Sequence, residues 1–86
     1  MNEENPDSAR EAIFDIIENQ IEASTPPETK QTLERLLSEG HSEEDAMKLI
    51  GCVVVSEIFA VLKEGRTYNE AAYVNALLTL PRLPWE

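Results

Sequence analysis

SEEDAMKLIGCVVVSEIFAVLKE, residues 42–64, is the stretch whose reading decides the fold. Its centre, Leu49-Ile50-Gly51-Cys52-Val53-Val54-Val55, is too apolar for a one-sided surface helix. The run of three valines suits a strand. Length and end signals point to a helix instead, because strands usually run about 4–8 residues. Ser42 stands where its hydroxyl can accept from the Asp45 backbone N–H, and Glu43, Glu44 and Asp45 fill the first turn, where acids are favoured. Gly65 follows Lys63 and Glu64, the expected place for a left-handed terminating residue. A helix over 43–64 is therefore predicted.

Steps of about 100° per residue place Ala46, Leu49, Ile50, Val53, Val54, Ile58 and Val61 on one broad side of this helix. Cys52, Val55, Phe59 and Leu62 occupy much of the other, and only Lys48, Ser56 and Lys63 mark a wet strip. A helix apolar almost all round must be covered on several sides. In 86 residues that requires every other helix or a second copy of the chain. Glu57 falls between Ala46, Ile50 and Val53. An unpaired buried carboxylate is costly, so it needs a cation or a proton. Arg10, Lys30, Arg35 and Arg66 are the candidate partners at a helix crossing, and a tuned acid is the functional alternative.

Three further helices follow from the same signals. Ser8-Ala9-Arg10-Glu11 has capping-box spacing and opens a helix over 8–23. Its apolar side is Ala9, Ile13, Ile16, Ile17 and Ile21, and Glu11, Asp15, Glu18 and Glu22 form a solvated face opposite. Gln20 lies inside the apolar arc, so its amide should bond to a neighbouring helix or a partner subunit. Thr25-Pro26-Pro27-Glu28 reads as a break and a restart, with Thr25 as cap and Pro26 in the first helical position. That helix runs over 26–39, carries Leu33, Leu36 and Leu37, and ends at Gly40. His41, the one histidine, lies in the turn and reads as solvated. Thr67-Tyr68-Asn69-Glu70 repeats the capping spacing before a helix over 68–80, which Pro81 stops. Residues 1–6 are polar and should fray. The tail from Leu80 to Glu86 should be extended, because residues before proline avoid helix, with Leu83 and Trp85 packed on the bundle. The expected fold is all-α, one domain, a compact four-helix array with an extended C-terminal tail.

Composition excludes several functions. Seventeen acids against seven bases give a formal net charge of −10. Nucleic acid is disfavoured, since phosphate contacts need clustered Lys and Arg, and anionic membranes are disfavoured too. No run reaches about 18 apolar residues, so no membrane span is expected. The acidic start lacks a signal-peptide pattern, which makes the cytoplasm the expected location. One cysteine, Cys52, excludes an intramolecular disulfide and reads as a small core residue. There is no glycine-rich phosphate loop, no Cys-x-x-Cys, no His-Glu-x-x-His and no nucleophile elbow. One Cys and one His are too few for a closed zinc site. Asp45-Ala46-Met47-Lys48 has lysine where a helical di-metal site needs histidine. No catalytic residue, metal or cofactor is expected.

Ile17-Glu18-Asn19-Gln20-Ile21, Pro26-Pro27-Glu28, Thr32-Leu33-Glu34-Arg35-Leu36, Glu39-Gly40 and Asp45-Ala46-Met47-Lys48-Leu49-Ile50-Gly51 form an ordered series across residues 12–64. This series resembles a family of small bacterial proteins of unknown function. The resemblance implies an all-helical fold and no assigned activity. Glu44 and Lys48 stand where that family carries histidines, so any metal those histidines bind in relatives would lack its ligands here.

The functional expectation is a self-associating interaction module, most simply a homodimer. The central helix and the Ala71–Leu78 helix would supply its interface. Gln20, Val54, Glu57, Ile58, Phe59, Tyr73 and Leu77 are the candidate interface or buried polar residues. The alternatives are an adaptor that binds a basic or apolar peptide and, third, a metal-dependent enzyme.

Overall fold

The computed structural model describes residues 6–86. Four α-helices make up the fold, with no strand among the described residues: α1 (Pro6–Ala23), α2 (Pro27–Ser38), α3 (Glu43–Glu64) and α4 (Glu70–Thr79). The all-α four-helix array is as expected. The frayed start expected over residues 1–6 falls, apart from Pro6, outside the described residues.

Helix ends follow backbone chemistry more closely than side-chain spacing. The Ser42 hydroxyl accepts from the Asp45 N–H at 3.0 Å and starts α3 as anticipated. Gly65 closes α3 in the left-handed region at φ 62°, and the Arg66 N–H reaches back to the Val61 carbonyl. Gly40, at φ 104°, plays the same part after α2, with the His41 N–H bonded to the Leu36 carbonyl and the Gly40 N–H to the Leu37 carbonyl.

Three expected ends move. Helix α1 begins at Pro6, so Ser8 lies within its first turn. Thr25 does not cap α2: its hydroxyl donates to the Ala23 carbonyl, and Pro27 rather than Pro26 opens the helix. Asn69, not Thr67, caps α4 by accepting from the Ala72 N–H at 3.1 Å. The tail is not extended either. Two turns shape it, one closed by Arg82 N–H to Thr79 carbonyl and one by Glu86 N–H to Leu83 carbonyl.

The core forms where α1, α2 and α4 meet the first half of α3. Ile17, Leu36, Ala46, Ile50, Val53, Leu77 and Leu80 are buried almost completely, and Leu83 from the tail packs against them. Gly51 permits the closest approach of α1, since a Cβ there would lie 3.3 Å from a methyl of Ile13. Every buried residue of α3 lies between Ala46 and Val54. At about 1.5 Å per residue, α3 is roughly 33 Å long, whereas α2 and α4 are about 18 and 15 Å. The other helices bury the first half of α3; beyond Val54, α4 borders Glu57 and Ala60, and the opposite side is exposed among the described residues.

This packing separates two substitutions. Val54 is 5% exposed, so Val54→Asp buries an unpaired carboxylate and should cost more than about 3 kcal/mol, a large share of the stability of a domain this small. Glu22→Ala, on the exposed face of α1, should change stability by less than about 0.5 kcal/mol. Thermal melting followed by circular dichroism reads both; a cooperative, unshifted melt for Val54→Asp would contradict the packing.

Candidate functional site

The polar candidates resolve into two internal ties. Gln20 Oε1 accepts two hydrogen bonds, from the Thr29 hydroxyl at 2.8 Å and from the Tyr73 phenol at 2.9 Å. The backbones of α1 and α4 do not approach closely, so this amide joins them across the core and fastens α2 at the same point. Burial raises the Tyr73 phenol above its ordinary pKa, which keeps it a donor at neutral pH. The Tyr68 ring stands edge-on to Tyr73 at 5.8 Å.

Glu57 finds its cation in Arg66, one of the four candidates. The guanidinium donates to Oε2 at 3.0 Å and to Oε1 at 3.2 Å, a two-pronged pair. The Asn69 N–H donates to the same Oε2 at 2.9 Å, so one carboxylate holds both the α3–α4 connection and the start of α4. Arg66 also reaches Glu64 at 2.7 Å. The Arg66 hydrogen bonds hold Glu57 below the usual carboxylate range, against the opposing effect of its partial burial. Its side chain is 11% exposed, and Arg66 lines the same small recess. Arg35 performs a similar service at the other end of α4: its guanidinium donates to the Leu77 and Leu80 carbonyls at 3.1 and 2.9 Å, satisfying the last turn.

The apolar candidates divide sharply. Val54, Tyr73 and Leu77 are covered by their own chain and offer no surface to another molecule. Helix α4, expected to share in an interface, packs through Tyr73 and Leu77 and exposes only Leu78 among its large apolar residues. Ile58 and Phe59, by contrast, are 42% and 66% exposed. Leu62, 73% exposed, and Val55 join them on the same face. The spacing 55, 58, 59, 62 is the i, i+3, i+4, i+7 pattern of a helix face made for burial. Leu62 and Val55 were legible as the second apolar side of α3 but did not stand out before the covered side was known.

This face runs directly into a groove between α1 and α3. The groove holds about 410 Å³ and is lined almost wholly by apolar atoms, from Ile13 and Phe14 of α1, Gly51, Cys52 and Val55 of α3, and Trp85 of the tail. Arg10 and Lys48 also border it, and both pair with Glu44. Trp85, expected to pack on the bundle, instead stays largely exposed at this groove. Cys52 is half-buried there rather than in the core proper. Among the described residues, no group of three or more His, Cys, Asp or Glu side chains could hold a metal, and no helix is long and apolar enough to cross a membrane. A comparison with known families, curated proteins and solved structures found no match.

The Glu57 pair gives a pH prediction. A folded-state pKa below the unfolded value contributes stability that is present above about pH 4.5 and is lost as pH falls through the folded value. Glu57→Gln should therefore destabilise the protein by about 1–2 kcal/mol at pH 7, a figure discounted for partial exposure. The deficit should shrink as the pH is lowered below about 4.5. Urea unfolding at pH 7 and at pH 3 measures it; an equal deficit at both would contradict the charged pair.

Proposed function

We propose that this protein is a non-catalytic interaction module that associates with a second copy of itself through the exposed face of α3. The observation that carries this reading is the row Val55, Ile58, Phe59 and Leu62 on one side of a single helix, left uncovered by the chain's own core. Scattered exposed apolar residues are ordinary, but a contiguous helical row is typical of a surface that another molecule covers. On this reading the polar residues keep structural roles: Gln20, Glu57, Arg35 and Arg66 are all engaged in ties between helices. Kinship with the small bacterial helical proteins resembled by residues 12–64 belongs to the same proposal.

Magnitudes set the strength. Completing the burial of four side chains already about half covered gains about 1 kcal/mol each, or some 8–10 kcal/mol for a symmetric pair. The loss of translational and rotational freedom opposes this by about 4 kcal/mol or more. A surplus of about 4–6 kcal/mol corresponds to a Kd between about 1 mM and 50 μM. Charge modulates it. Two chains of net charge −10 repel one another, so added salt should strengthen association by screening. An acidic adaptor holding a basic peptide would show the opposite salt dependence.

Light scattering after size exclusion, from about 10 μM to about 1 mM protein, tests the reading against the expected Kd range. The expected result is a dimer that grows with concentration and with salt. Phe59→Asp and Leu62→Asp should abolish it while leaving the melting temperature nearly unchanged, since both side chains are mostly exposed. A protein that stays monomeric throughout, or a dimer indifferent to both substitutions, would overturn it.

A further inference from the structure

The face of α3 contains both a projection and a recess. Phe59 and Leu62 stand out at its C-terminal end, largely exposed among the described residues. The groove opens at its N-terminal end, beside Gly51, Cys52 and Val55, with Phe14 and Trp85 as the aromatic walls. Steps of about 100° place residues 51, 52, 55, 58, 59 and 62 within a single arc of about 120°. Projection and recess therefore lie along one strip of one helix, about 15 Å apart.

From this arrangement, which rests on the self-association proposed above, the geometry points to an antiparallel pair of α3 helices related by a two-fold axis near residue 57. In that pair Leu62 of each copy enters the groove of the other beside Gly51 and Cys52, and Phe59 meets Val55. An isologous contact fills both recesses at once, because whatever residue i touches on j, j touches on i. A parallel pair would set projection against projection and leave both grooves open. Charge favours the same choice. No acid lies on this arc between Lys48 and Lys63, so the strip is where two copies of an acidic chain meet with least repulsion. Antiparallel packing keeps Lys48 about 27 Å along the axis from its own counterpart. Parallel packing would bring like lysines together.

Disulfide trapping tests the geometry. One protein keeps Cys52 as its only cysteine, and a second carries Cys52→Ser with Leu62→Cys. In the antiparallel pair, positions 52 and 62′ come within bonding reach, whereas 52 and 52′, or 62 and 62′, lie about 15 Å apart along the axis. Under mild oxidation at about 0.5 mM, within the expected Kd range, the mixture should yield the mixed 52–62′ dimer at least several-fold above either homodimer. Trp85 fluorescence should shift to the blue as concentration rises, because the partner's Leu62 covers the indole. Dimers trapped chiefly as 52–52′ and 62–62′ would overturn the antiparallel geometry while leaving self-association standing. A dimer by light scattering that gives no trapped product in any combination would place the interface off this strip and overturn the inference. A strictly monomeric protein would leave the face to a different molecule and overturn both readings.

Discussion

One constraint governs this molecule: α3 is apolar on nearly every side, and three short companions can wrap only part of it. The buried residues of α3 end at Val54, yet the helix continues to Glu64. Beyond Val54 the helix is bordered by α4 on the side of Ala60 and Glu57, and opposite them Val55, Phe59 and Leu62 stay exposed among the described residues. The uncovered face is thus a direct consequence of unequal helix lengths, not of an irregular surface. A helix of 22 residues packed against helices of 18, 12 and 10 overhangs its companions.

The overhang would be unstable in direction without the polar ties, because apolar packing is non-directional. Glu57 supplies the direction at one end. Its carboxylate gathers the Arg66 guanidinium and the Asn69 N–H, fixing where the chain turns back into α4. Arg35 supplies it at the other end by holding the final carbonyls of α4. Gln20 joins α1 to α4, whose backbones do not approach one another closely. Each tie uses a group that would be costly if left unmatched, and each lies between helices that apolar contact alone could let slide. Gln20, Arg35, Glu57 and Arg66 are therefore engaged in holding the array, whereas the buried Thr32 hydroxyl has no hydrogen-bond partner among the described residues. The exposed face of α3 is apolar.

Much of this was written in local signals. The Ser42 hydroxyl, the acids that follow it, and glycines 40 and 65 mark ends that the structure places within a residue or two. The rest of the boundaries shifted because several residues competed for each cap. Asn69 lies two residues nearer than Thr67 to the N–H groups that need an acceptor. Thr25 turned its hydroxyl back toward Ala23 when Pro27 took the first helical position. The tail forms turns because bonds to the Thr79 and Leu83 carbonyls are compatible with Leu80 and Leu83 packing on the core.

By itself the sequence determined four helices, the apolar excess of α3, and the need of Glu57 and Gln20 for partners. Periodicity fixes direction around a helix axis, and that is enough for these conclusions. Tertiary structure alone decided that Arg66 answers Glu57, that Thr29 and Tyr73 answer Gln20 from 9 and 53 residues away, and that Val54 is hidden while Phe59 is open. Those outcomes depend on how far along α3 its neighbours extend, a distance set by packing among all four helices and carried by no single stretch of chain.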